Sequence, residues 1–77
     1  MIIIEVKLLR NEPNVQVYTL VLDDNTTIEG RFEYQEQLGC ELITIENDLV
    51  SPYESRQLVE VLKKYQRNQA LVFPVTI

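Results

Sequence analysis

Seventy-seven residues leave room for one hydrophobic core, so the chain reads as a single domain spanning residues 1–77. With 45% hydrophobic and 25% charged residues it belongs with folding chains rather than disordered ones. One cysteine and no histidine exclude a disulfide framework and starve a zinc site of ligands, and a net charge of −5 works against nonspecific nucleic-acid binding.

Residues 2–9 and 15–23 are β-rich runs separated by Asn11-Glu12-Pro13-Asn14, and Pro13 turns Glu12 away from helical geometry. Those four residues read as the first hairpin loop. The segment Met1-Ile2-Ile3-Ile4 is apolar, but Glu5 and Lys7 interrupt it, so it reads as strand rather than export signal. Asp24-Asn25, both tolerant of positive φ, mark a second turn before the alternating run 26–34.

With Asp24-Asn25 as a two-residue loop, Val21 faces Ile28 and Val17 faces Phe32; the first loop then sets Ile4 against Val21, Leu8 against Val17 and Ile3 against Leu22. The expected core face carries Ile2, Ile4, Val6, Leu8, Val15, Val17, Val21, Ile28, Phe32 and Tyr34, with Gly30 leaving a dent opposite Thr19. The reverse face carries charged residues and also Ile3, Leu9, Tyr18, Leu20 and Leu22.

Residues 35–40 read as a loop in preference to a helical turn ended by Gly39, and residues 41–47 as a short fourth strand. The helix has the plainest signals. Ser51-Pro52 followed by Glu54 forms a capping box with proline at the first helical position. Leu58, Val61, Leu62 and Tyr65 recur at helical spacing, Glu60 and Lys64 pair on the exposed side, and Lys63, Lys64 and Arg67 suit the carboxyl end before Asn68 caps it. The tail 71–77 alternates Leu71, Phe73, Val75 and Ile77 on one face, and Pro74 makes it an edge strand.

The expected architecture is α+β: a mostly antiparallel sheet of five strands with one helix, placed between the fourth and fifth strands, packed on one face. A helix crossing that face brings the tail beside the first strand, giving spatial order 4-3-2-1-5. Closure into a small barrel is the competing arrangement.

The chain holds little catalytic chemistry. Cys40 has no histidine to activate it and reads as a small apolar filler, and two glycines make no phosphate-cradling loop. Asp23, Asp24, Asn25 and Glu29 lack the spacing and turn glycine of a calcium loop and read as a solvated turn. No cofactor, metal or small-molecule substrate is expected, and no apolar run is long enough for a membrane helix. Charge is uneven: residues 1–48 hold ten acids and three bases, residues 49–77 two acids and four bases. Arg56, Lys63, Lys64 and Arg67 on the helix come without aromatic platforms, as on a solvated face.

The segment Leu22-Asp23-Asp24-Asn25-Thr26-Thr27-Ile28-Glu29-Gly30-Arg31-Phe32 is similar to the first motif of Sm-like RNA-binding barrels, in which a strand, a turn and a glycine-bearing strand recur. That resemblance implies a small barrel that binds RNA. The chain departs from the family by lacking its leading helix and the Arg-Gly pair of its second motif, and by placing a helix before the last strand, so membership is not adopted.

A single core at this size rarely supplies more than about 3–5 kcal/mol, which makes a partner subunit the natural supplement. The expected function is a non-enzymatic, cytoplasmic, self-associating protein-interaction module, regulatory or inhibitory. Its partner-binding patch is expected at Ile3, Leu9, Tyr18, Leu20 and Leu22, as apolar surface left uncovered by a single helix. The alternatives are a nucleic-acid-binding barrel and an acidic mimic that blocks a nucleic-acid-binding protein.

Overall fold

Four strands run up and down in sequence in the computed structural model, which describes residues 1–77 apart from the side chain of Glu46: β1 (Ile2–Glu12), β2 (Val15–Leu22), β3 (Thr27–Gln35) and β4 (Cys40–Glu46). Helix α1 (Pro52–Gln66) then crosses one face, and β5 (Val75–Thr76) pairs with the start of β1. All pairings are antiparallel, in the expected order β4-β3-β2-β1-β5. The sheet curls into a half-barrel with the helix against it.

The helix forms as its signals require. Ser51 accepts a hydrogen bond from the Glu54 amide, the Glu54 carboxylate accepts one from the Ser51 amide, and Pro52 occupies the first turn. Leu58, Val61 and Leu62 are buried and Tyr65 packs beside them. Glu60 pairs with Lys63 at 3.6 Å rather than with Lys64. Asn68 adopts φ 53° just past the end, the left-handed cap that its side chain tolerates. The tail strand is shorter than expected, yet Leu71, Phe73, Val75 and Ile77 all pack against the core.

The register of the meander differs from the expected one. Residue 28 lies opposite Leu20, not Val21, and Phe32 lies opposite Gln16, not Val17. The cause is a single residue in the second turn. Leu22 accepts from the Asn25 amide at 3.0 Å and donates to Thr26 at 2.9 Å, so the loop holds three residues, Asp23, Asp24 and Asn25, with Asn25 at φ 68°. Asp24 fixes the turn by accepting from the Thr26 amide and hydroxyl. A third loop residue shifts the pairing by one position and turns β2 over.

Strand β1 compensates. Its turn with β2 is tighter than expected, with Glu12 opposite Val15, and irregularities between Leu8 and Arg10 and between Ile3 and Glu5 then slide the register back. Ile3 therefore faces Leu22 as the sequence suggests, whereas Glu5, not Ile4, faces Val21, and Tyr18, not Val17, lies opposite Leu8. Each bulge also adds local twist, which helps the sheet curl.

The core on the concave face consists of Ile3, Val6, Tyr18, Leu20, Ile28 and Phe32 from the sheet, with Leu58, Val61 and Leu62 from the helix. Fully burying each such aliphatic is worth roughly 1.5–3 kcal/mol. Tyr18 meets Phe32 and Tyr65 edge to face, with ring centroids 5.4 and 5.7 Å away. Gly30 lies opposite Tyr18 and Ile45, and Leu62 fills the space above it.

Candidate functional site

The expected contact patch does not lie on an open face. Ile3 and Leu20 are 0% exposed and Tyr18 is buried, all beneath α1, with Leu22 packed against the same cluster. Only Leu9, at the β1 bulge and 57% exposed, offers apolar surface. The three-residue turn is the physical reason, since it sends the even-numbered residues of β2 inward. The convex face carries Val15, Val17 and Val21 instead. Val17 is nevertheless only 7% exposed, because Leu9, Arg10 and Arg31 gather over it around a shallow hollow of about 170 Å³. Arg31 lies along this face with its Nε buried, 3.6 Å from a Glu33 carboxylate oxygen, and its stem covers apolar surface. Charged side chains thus do on this side what the helix does on the other.

The two edges of the sheet are unlike each other. On the β1 side, β5 covers Ile2 and Ile3, two bulges distort the strand, and Lys7 and Arg10 project from it. These are the devices by which proteins protect an edge. The β4 side carries Glu41 and Glu46 but has no covering strand, no register irregularity and no Lys or Arg. Its seven residues pair regularly with β3 from Cys40 to Glu46. Exposed leucines accompany it: Leu42 in the strand, Leu38 in the turn before it and Leu49, 93% exposed, in the turn after it. Residues 32–55 contain six acids and no Lys or Arg, so the edge is uniformly negative in charge. Cys40 opens this strand with its thiol exposed, which corrects its expected role as a core filler.

A polar cleft of about 420 Å³ opens where the β1–β2 hairpin, the ends of β3 and β4, and the last turn of α1 meet. Gln16 organises it. Its amide oxygen accepts from the Tyr18 hydroxyl at 3.0 Å and from Gln66 Nε2 at 3.1 Å, while its Nε2 donates to Asn11 Oδ1 at 3.2 Å. Gln66 Nε2 also reaches Glu41 Oε2 at 3.5 Å. Glu41 stands opposite Tyr34 on the neighbouring strand. Burial, then Tyr65 and then the Glu41 charge hold the Tyr18 phenol above its ordinary pKa, so the neutral hydroxyl is the donor to Gln16.

Sequence reading missed both features. The lack of lysine and arginine between residues 31 and 56 was legible, but the cleft depends on Gln16 pointing inward, which follows from the unexpected turn. Among the described residues no group of His, Cys, Asp and Glu is arranged to hold a metal, and no helix is long and apolar enough to cross a membrane. No family model matches the chain, and no curated protein or solved structure does.

Proposed function

We propose that the protein is a non-catalytic interaction module that binds an extended, basic segment of a partner protein by strand addition at β4. The observation that carries this reading is the contrast between a guarded β1 edge and an unguarded β4 edge. An open strand supplies backbone donors and acceptors along its length, and side-chain positions on both faces supply selectivity. The acids at Glu36, Glu41 and Asp48, without a basic residue among them, favour lysines and arginines in the added strand. Leu38, Leu42 and Leu49 offer apolar contacts along and beyond the strand.

Self-association remains the second reading, because two copies of β4 related by a two-fold axis at Ile43 place Leu42 beside Thr44 and Glu41 beside Ile45, with no acid directly opposite another.

The test is a titration with an alternating Lys-Val peptide of about seven residues, a length matched to β4, followed by amide hydrogen exchange. Exchange should slow along β4 and not along β1. Leu42→Lys with Thr44→Lys, both on the convex face, should abolish the effect without unfolding the protein. Protection absent from β4, or found on β1, would refute strand addition there. A doubled mass by light scattering for the protein alone would replace the basic partner with a second copy.

A further inference from the structure

We infer that the polar cleft between the β1–β2 hairpin and the end of α1 is a binding site for an alkylguanidinium group. The accounting of its polar groups points to a cation. Both donors of the Gln66 amide are directed at Gln16 and Glu41, and Gln16 already donates to Asn11. Among the described residues the Glu41 carboxylate receives only the long 3.5 Å contact from Gln66, leaving most of its acceptor capacity free. No lysine or arginine is among the residues that line the cleft, and Glu12, at its rim, is paired with Arg10. Of the bases at the end of α1, Lys63 is held by Glu60, and neither Lys64 nor Arg67 lines the cleft.

The shape selects among cations. Tyr34 is half exposed and sits directly across from Glu41, so an aromatic ring and a carboxylate occupy neighbouring positions on one side of the sheet. A guanidinium lies flat on an aromatic ring while its in-plane N–H groups donate to a carboxylate, whereas an ammonium is a compact point donor that cannot do both as well. A volume of about 420 Å³ accommodates the guanidinium with its alkyl stem.

The experiment is a titration of ¹⁵N-labelled protein with L-arginine amide, L-lysine amide and L-citrulline amide, the last a neutral near-isostere of the first. Arginine amide should shift the side-chain amide signals of Asn11, Gln16 and Gln66, lysine amide should bind more weakly, and citrulline amide should not bind. Glu41→Gln should weaken arginine amide about fivefold or more, in line with the loss of a charge-assisted hydrogen bond. Tyr34→Leu should weaken it too, and both positions are exposed, so the same spectra verify that the fold persists. Equal binding of citrulline amide, or unchanged affinity in Glu41→Gln, overturns the assignment. Tighter binding of an Ac-Val-Arg-Val amide than of arginine amide identifies an arginine of a partner protein as the ligand; equal binding identifies a free guanidino compound. The site shares Glu41 with the β4 edge but is separable from it: Leu42→Lys with Thr44→Lys lies on the opposite face and should retain arginine amide binding while losing strand addition.

Discussion

Gly30 shows how one position can bind two layers together. A Cβ built on it would lie 2.2 Å from Leu62 Cδ1 and 3.2 Å from Ile45 Cδ1. Leu62 is wholly buried, so it has little room to withdraw. Gly30→Ala should therefore destabilise the protein by about 1–3 kcal/mol, the usual range for overpacking a core, as measured by urea denaturation. The sequence suggested a dent at this glycine but placed Thr19 opposite it. The dent exists, and what fills it is a leucine from a distant element that no local pattern names.

The helix is the element whose local signals and final structure agree most closely, because every determinant of its start lies within a few residues of Ser51. Glu54 accepts from the Ser51 amide at 3.1 Å, and that bond, with the Ser51 hydroxyl contact, holds its carboxyl below the ordinary 4.5. A lowered folded-state value means that the charged form favours the fold. The contribution is complete above the ordinary value and disappears as pH falls through the lowered one. Glu54→Gln should accordingly melt at a lower temperature than the parent at neutral pH, and the gap should close in acid. Thermal melts followed by circular dichroism across that range check it; a gap that persists in acid would show that the charge is not its source.

At the scale of the whole molecule, strand order and the covering helix were legible, while the face presented by β2 was not. Hydrophobic alternation places residues on two faces without saying which face is the core. In β2 both sets are apolar, Tyr18, Leu20 and Leu22 on one and Val15, Val17 and Val21 on the other, so the choice fell to turn length. Asp24-Asn25 admits a two-residue reading, and the observed third residue, Asp23, reverses the strand. β3 suffers no such ambiguity, since Ile28 and Phe32 alternate with Glu29, Arg31 and Glu33. The consequence is measurable. Leu20→Ala should cost about 2–5 kcal/mol, as for a large deletion in a core, while Val21→Ala, half buried on the convex face, should cost about 1 kcal/mol or less. Reversed magnitudes in chemical denaturation would restore the original register.

The unequal borders of the sheet also limit how many neighbours the molecule can have. A strand joining at β4 meets a regular border, while the far side, covered by β5 at Ile2 and Ile3 and irregular in register beyond them, offers no equivalent place for another to follow. Under the proposed strand addition, growth through this sheet is one-sided: the protein would end a β-assembly rather than extend it, with a valence of one.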